Sequence, residues 1–245
     1  MTIDLHTHIL PGMDDGAQDV ETSLRLLQAE AEQGVECVAL TPHFSHDRES
    51  VPHFLHRRRE AMEQLLEAIS SMEEEQRQKL PKLMLGAEVA FRPGMARWEE
   101  LGQLCYEGTH YLLVELTRSS GESGGVYREM AELLGNTSYT PMLAHVERYR
   151  SAGDKKLLEE LRSMAVPMQV NGSSLLHFTE RLYAQRILAQ TRGSVVVSDC
   201  HDLHERPPVL GEAKKRLLKT FGETRGARFF SGKAVAAQWR EKGMI

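Results

Sequence analysis

The chain is poor in cysteine, with three residues in 245, at positions 37, 105 and 200. They are too few and too scattered for a disulfide framework or a thiolate metal cage, and they suit a reducing, cytoplasmic setting. No apolar run is long enough to cross a bilayer, so membrane insertion is not expected. Met1 leads straight into Ile3-Asp4-Leu5-His6, without the basic stretch and apolar run of a signal peptide. Basic charge is not in excess either. The formal net charge is −5, which argues against a nucleic-acid partner. One short basic run, Arg57-Arg58-Arg59, lies among helix-forming residues and reads as a solvated helix face. No linker or low-complexity segment interrupts the chain, and its length fits one large α/β domain. Histidine is plentiful by contrast, with 11 residues.

Short apolar runs alternate with helical patterns from end to end. Strands are expected at Ile3–His6, Glu36–Thr41, Leu83–Val89, Tyr111–Leu116, Thr140–Ala144, Pro167–Val170 and Val195–Ser198, with a weaker one at Ala227–Phe229. Such brief Val-, Leu- and Ile-rich runs suit strands buried on both faces of a parallel sheet. Val20, Leu24, Leu27 and Ala31 form one apolar helical stripe, stopped at Gly34. Met62, Leu65, Ile69 and Met72 form another in a charged helix over 57–79. Further helices are expected around Tyr127–Leu134, Lys155–Met164, Glu180–Gln190 and Leu210–Thr220. Repeated βα units of this kind predict a parallel barrel, with an open doubly wound sheet as the rival.

In a parallel barrel the chemistry gathers where the strands end. Metal-type donors stand at almost every such point here. The first strand carries His6 and His8, which can share one face, followed by a turn-rich loop with Asp14 and Asp15. Later strands end in His43, Glu88, Glu115 and His145, and the seventh delivers Asp199 and His201. The candidate ligands are therefore His6, His8, Asp15, His43, Glu88, Glu115, His145, Asp199 and His201. Imidazole and carboxylate without thiolate suit manganese, iron or zinc. Nine donors exceed the needs of one ion, and two or three ions sharing carboxylates is the natural count. Three divalent ions against four carboxylates would leave the cavity positive, suited to a phosphate. Arg148 and Arg206, three and five residues beyond His145 and His201, are the candidates for gripping phosphate oxygens with a guanidinium fork.

The ordered segments resemble the polymerase-and-histidinol-phosphatase (PHP) family. More narrowly, they resemble its bacterial capsular-polysaccharide tyrosine phosphatases, the CpsB/CapC-like group. The resemblance is carried by Asp4-Leu-His6-Thr-His8 with Asp14-Asp15-Gly16, Thr41-Pro-His43, Gly86-Ala-Glu88, Leu113-Val-Glu115, His145-Val-Glu-Arg148-Tyr149, Gln169-Val-Asn171 and Ser198-Asp199-Cys-His201 with Arg206-Pro-Pro208. It runs in order from residue 4 to 208. It implies a distorted (β/α)7 TIM-like barrel with three divalent ions, usually manganese. By analogy, His6, His8, Glu88 and Asp199 hold one ion, Glu88, Glu115 and His145 a second, and Asp15, His43 and His201 a third. It further implies that a metal-bridged hydroxide attacks a phosphotyrosine held by Arg148 and Arg206. The expected substrate is a bacterial tyrosine kinase that controls exopolysaccharide export. The segment over 117–125 departs from the family's pattern and bears on side-chain preference. His46, His53 and His56 match no family ligand and are expected to be solvated.

Other readings remain open at this point. Cys200 and Arg206 have the C-x5-R spacing of a cysteine phosphatase, but no glycines between them provide a nest of N–H donors. A PHP phosphatase for a small metabolite such as histidinol phosphate would use the same metal site. A metal-dependent amidohydrolase would place a modified lysine where Glu88 stands. A binding-only accessory domain would not need a full ligand set. Nothing in the sequence fixes the oligomeric state.

Overall fold

The computed structural model describes residues 1–116, 123–136 and 138–245. Strand β1 (Ile3–Thr7) is followed by α1 (Val20–Glu32), β2 (Cys37–Leu40), β3 (His43–Phe44), α2 (Val51–Ser70), α3 (Glu74–Arg77), β4 (Lys82–Leu85) and β5 (Glu88–Ala90). Then come β6 (Tyr111–Glu115), α4 (Ser123–Asn136), β7 (Thr140–Leu143), α5 (Ala152–Ser163), β8 (Gln169–Asn171), α6 (Gly172–Leu176), α7 (Phe178–Gln190) and β9 (Val195–Val197). Helices α8 (Leu210–Phe221), α9 (Glu223–Arg228) and α10 (Lys233–Glu241) complete the chain.

The architecture is α/β with parallel pairing throughout the named strands. One sheet has the order β1-β2-β4, a second β3-β5-β6-β7 and a third β8-β9. Single bridges join them, Leu143 with Met168 and Thr7 with Cys200. Next to the second bridge, Asp199 N–H donates to His6 O and His8 N–H to Cys200 O, each at 2.9 Å.

Two interruptions have clear causes. Between β2 and β3 stands Pro42, which has no N–H to give to a ladder. Between β4 and β5 stands Gly86, where a Cβ would lie 3.0 Å from the Thr41 side chain and 3.1 Å from the Tyr106 ring. Both breaks swing the following residues, His43 and Glu88, out of the sheet ladders below and pair them with each other.

Most of the core lies between strands and helices, where β-strand side chains such as Val38, Leu40, Val89, Val114 and Val170 meet Leu26, Leu27, Leu65 and Met130. A second cluster gathers Ile3, Leu5, Ala39, Met84, Leu113, Met142 and Val197 from six strands against Tyr106 and Trp239 of α10. The Trp239 indole N–H, otherwise costly to bury, donates to Glu107 O at 2.7 Å.

Several sequence expectations need correction. The weak strand at Ala227–Phe229 is absent: residues 223–228 are helical, and Phe229 and Phe230 turn inward to the core after α9. The charged helix begins earlier and ends sooner than 57–79. Ser50 caps α2 with Pro52 in its first turn, and the helix stops at Ser70. Arg57 and Arg58 do not belong to a solvated face. Arg57 Nη2 donates to Met13 O and Arg58 Nη1 to Gly86 O, both at 2.7 Å. Only Arg59 of that run is exposed.

Candidate metal centre

Each donor reaches the centre from the end of a strand or from the loop that follows it. The loop after β1 folds back tightly: Gly12 N–H donates to Ala17 O at 2.8 Å and Ala17 N–H to His8 O at 2.9 Å. Gly16 lies so close that a Cβ there would sit 2.1 Å from His8 O. This turn brings Asp14 beneath His8 and leaves Asp15 at the rim. His145 and Asp199 have φ of 29° and 55°, an uncommon region for side chains with a Cβ. Both are the second residue past the end of a strand, where the backbone turns to present them.

Four atoms meet at the centre. His6 Nε2 and His8 Nε2 are 3.1 Å apart. Glu88 Oε2 lies 3.2 Å from the first and 3.4 Å from the second. Asp199 Oδ1 lies 3.4 Å from each. Two ligands about 2.1 Å from one ion stand about 3.0 Å apart at right angles and about 3.4 Å apart at the tetrahedral angle. The spacing is that of a coordination shell.

Around this group lie the remaining donors. His145 Nε2 is 2.9 Å from Glu88 Oε1 and 3.6 Å from Glu115 Oε1. His43 Nδ1 is 2.9 Å from Glu88 Oε2, and its Nε2 is 3.4 Å from Asp15 Oδ1. His201 Nε2 lies 3.5 Å from the same Asp15 oxygen. Three overlapping sets could each hold an ion: His6, His8 and Asp199; His43, Glu88 and Glu115; and His8, Asp15, His43 and His201. All nine expected donors thus fall in one continuous cluster, with Glu88 at its middle. His43 bridges two sets, so its expected confinement to the Asp15 and His201 group is not what the geometry alone selects.

The histidine tautomers follow from their outer partners. Tyr106 OH donates to Leu5 O at 2.8 Å, and Gln169 Nε2 donates to Tyr106 Oη at 3.0 Å. The Gln169 carbonyl oxygen is therefore left to accept from His6 Nδ1 at 2.8 Å, which turns the Nε2 lone pair of His6 inward. His8 Nδ1 donates to Asp14 Oδ2 at 2.7 Å, and His201 Nδ1 to Asp199 O at 3.0 Å. Such partners orient metal-binding imidazoles and raise their basicity.

Among the described residues, Glu88 Oε2, Asp199 Oδ1 and His201 Nε2 are buried without a hydrogen-bond partner. Orphaned polar atoms of this kind are costly unless something else satisfies them. A divalent cation does so, and the donor set fits one. Electrostatics agree. Burial opposes charge on Glu88, but His6, His145 and His43 hold its carboxyl well below the usual range. Burial likewise opposes charge on His8, yet Asp14, Asp199 and Glu88 push its pKa well above the ordinary value. The cluster accumulates positive charge on histidines where a metal ion would otherwise supply it. His201 behaves differently: burial, His8 and Arg206 lower its pKa to about 4, so it stays neutral.

The two arginines converge on the other oxygen of Asp199. Arg148 Nη2 donates to Asp199 Oδ2 at 2.6 Å, and Arg206 Nη2 at 2.8 Å. Asn171 Nδ2 adds a third bond at 2.8 Å. Arg148 and Arg206 are only half-buried, which leaves their guanidinium edges open to an anion beside the cluster.

The family model for capsular polysaccharide synthesis proteins, CpsB/CapC, matches residues 2–236. The chain belongs to the CpsB/CapC family. Tyrosine-protein phosphatase CpsB of Streptococcus agalactiae is 28% identical to this CpsB/CapC chain over 248 residues, covering 93% of it and 94% of the relative. A crystal structure from the pair YwqE of Bacillus subtilis and CpsB of Streptococcus pneumoniae, described as unique metal-dependent tyrosine phosphatases, matches with a TM-score of 0.73 at 25% identity. That match covers 93% of this chain and 90% of the other. A histidinol phosphate phosphatase of Lactococcus lactis, solved with zinc, L-histidinol and phosphate, matches with a TM-score of 0.55 at 11% identity over 89% of this chain and 93% of its own. That last likeness is one of fold.

Within this CpsB/CapC chain, sequence reasoning missed the partners behind the donors. Asp14 is buried and Asp15 is 66% exposed, a contrast that two adjacent aspartates do not display in sequence. Besides His8, Asp14 accepts His43 N–H at 2.8 Å and Gly16 N–H at 2.9 Å. Gln169 and Asn171 had a signal: two polar residues two apart in an otherwise apolar run, hence on one strand face. Arg57 and Arg58 hold the carbonyls that lead into Asp14 and Glu88. His46, His53 and His56 are exposed, as expected, and His46 packs on Trp98 with ring centroids 4.7 Å apart. Cys200 is buried with its thiol 3.7 Å from Glu30 Oε1 of α1. Burial and the carboxyls of Glu30 and Asp4 push its pKa well up, the reverse of what a nucleophilic thiolate needs. Of the 117–125 segment, residues 117–122 lie outside the described residues, and 123–125 begin α4.

Proposed function

We propose that this chain is a metal-dependent protein-tyrosine phosphatase in which one PHP-type domain over residues 1–245 carries the whole site. If β2/β3 and β4/β5 are taken as two broken strands, seven strand positions remain. The bridges at Leu143–Met168 and Thr7–Cys200 support their closure into a distorted (β/α)7 barrel. The observation that carries the function is the shared carboxylate of Asp199. One of its oxygens belongs to a four-donor cluster at coordination spacing, and the other is bound by two arginines able to grip a phosphate.

His6, His8, Glu88 and Asp199 would hold one ion, Glu88, Glu115 and His145 a second, and Asp15, His43 and His201 a third. Manganese is the expected ion, and the donors also suit iron or zinc. Bound divalent ions lower the pKa of water and neutralise charge on the transferred phosphoryl group. The protein's own contribution is orientation. Gln169, Asp14 and the Asp199 carbonyl keep Nδ1 of His6, His8 and His201 as the donor, so that in the loaded site each would turn a bare Nε2 inward. Arg148 and Arg206 bind the phosphate and set its approach to the cluster. Asn171 holds Asp199 from below, so its carboxylate cannot rotate away when the arginines change partner.

Phosphotyrosine is favoured as substrate by the names of the relatives. The capsular polysaccharide role of the family favours a bacterial tyrosine kinase of capsule or exopolysaccharide synthesis as the protein that carries it. Three buried free cysteines accord with a cytoplasmic location, and no helix among the described residues is long and apolar enough to cross a membrane. The test is a metal-reconstituted assay on phosphotyrosine peptide, phosphoserine peptide and histidinol phosphate side by side. Turnover is expected on phosphotyrosine first; a strong preference for histidinol phosphate would refute the assignment.

A further inference from the structure

Tyr149 ends the segment His145-Val-Glu-Arg148-Tyr149 and contributes no donor to the cluster. It stands just after a single helical turn, Val146–Arg148, and His145 stands just before it. Arg148 N–H donates to His145 O at 3.1 Å and Tyr149 N–H to Val146 O at 3.2 Å. This closed turn carries a metal-type imidazole at one end and a phenol at the other.

The phenol reaches back to the end of β6. Leu116 N–H donates to Tyr149 Oη at 3.1 Å, and Tyr149 OH donates to Leu116 O at 3.0 Å. Leu116 is 8% exposed, so both of its main-chain groups need partners. Strand β7 does not supply them. Its register with β6 ends at Val114 and Leu143, and the last bond between them runs from Ala144 N–H to Val114 O at 3.0 Å. The chain then leaves the strand direction at His145, whose φ is 29°. One hydroxyl, acceptor and donor at once, takes the place of the next rung.

Leu116 directly follows Glu115, whose carbonyl oxygen accepts Phe91 N–H at 2.8 Å. The main chain at Glu115 is thus held by the β5 segment on one edge and, one residue on, by Tyr149 on the other. Glu115 Oε1 and His145 Nε2 stand 3.6 Å apart, and the Tyr149 hydroxyl joins the turn that carries one to the strand end that carries the other. A second phenol steadies the clamp: Tyr183 OH of α7 donates to Tyr149 O at 2.9 Å.

We propose that Tyr149 is a positioning residue for metal binding. Through its two bonds to Leu116 it sets the distance between Glu115 and His145, and with it the affinity for the ion that these two would share. The assignment rests on the metal-dependent reading of the cluster and adds to it a residue that touches neither ion nor substrate.

The test is calorimetric titration of the metal-free chain with Mn²⁺, for the parent, Glu115→Gln and Tyr149→Phe. Glu115→Gln marks the class of site that uses this carboxylate. Tyr149→Phe keeps the ring and removes only the hydroxyl. It is expected to weaken that same class about tenfold, the worth of one hydrogen bond, and to leave the other binding unchanged. An isotherm identical to the parent's overturns the proposal. So does an equal weakening of every class, which a merely loosened fold would give. Amide exchange in the metal-free parent provides a check that needs no variant: Leu116 N–H is expected to exchange as slowly as the amides within β6, and rapid exchange overturns the proposal. A parent chain that binds no Mn²⁺ would instead refute the metal reading itself, and the proposal with it.

Discussion

Replacing Asp14 by asparagine tests the reasoning about tautomers most directly. The Asp14 carboxylate serves three donors: Oδ2 takes His8 Nδ1–H at 2.7 Å and His43 N–H at 2.8 Å, and Oδ1 takes Gly16 N–H at 2.9 Å. A carboxamide has one acceptor oxygen. If that oxygen occupies the Oδ2 place, the NH₂ group faces Gly16 N–H; if it flips, NH₂ faces the other two. At least one buried donor loses its acceptor, at about 1–3 kcal/mol. His8 also loses the anion that keeps its proton on Nδ1. Losing such an outer partner costs about 10–100-fold in metal affinity. Metal-stripped Asp14→Asn titrated with Mn²⁺, with p-nitrophenyl phosphate turnover and calorimetry as readouts, is therefore expected to need about 10–100-fold more metal for half-activation. Turnover at saturating metal should largely recover. An unchanged metal requirement would refute the orienting role, and a loss that no metal concentration restores would make Asp14 a ligand in its own right.

Cys200→Ser is expected to keep its activity, while a chelator removes it from the parent chain; the opposite pair of outcomes would sink the metal mechanism. Arg57→Met loses the bond to Met13 O and the pair with Glu49 at 2.8 Å. With Arg57 still about a third exposed, the cost is about 1 kcal/mol, visible as a lower Tm together with a raised Mn²⁺ requirement. Glu30→Gln addresses pH. Burial, with Asp4 beside it, raises the Glu30 pKa well above its ordinary value. The folded state thus holds a proton that the unfolded chain gives up, and this contribution is complete below the unfolded pKa and lost as pH rises toward the folded one. The Tm advantage of the metal-free parent over Glu30→Gln should accordingly shrink from pH 5 to pH 8. A constant difference would show that Glu30 is not protonated in the fold.

The clustering of the candidate donors was legible because all but Asp15 stand at or just beyond the end of an apolar run, and the rule that parallel sheets gather chemistry at strand ends needs no knowledge of packing. The sheet was legible for the same reason, except that Gly86 breaks the expected Leu83–Val89 strand in two and that a short strand, His43–Phe44, starts again beyond Pro42. Less legible was everything that depends on a partner remote in sequence. Arg57 looks solvated until α2 docks it on the loop before Asp14. The Ala227–Phe229 run reads as a weak strand, but Ala227 and Arg228 close a short helix and Phe229, just after it, turns into the core. Nothing in Asp14-Asp15 distinguishes the buried aspartate from the exposed one until the Gly16 turn is closed on His8.

The two oxygens of Asp199 have a consequence for how the site fills. In the proposed assignment Asp199 Oδ1 would help to hold an ion, and the charge it gave up there would weaken the hold of Oδ2 on Arg148 and Arg206, leaving both guanidiniums freer for an anion. Binding free energies are reciprocal, so phosphate that takes the arginines must tighten the ion in turn. Cation and anion would then load cooperatively through one side chain. The inorganic phosphate left by each turnover would act on the enzyme twice, occupying the site as a product and securing the metal that the next cycle requires.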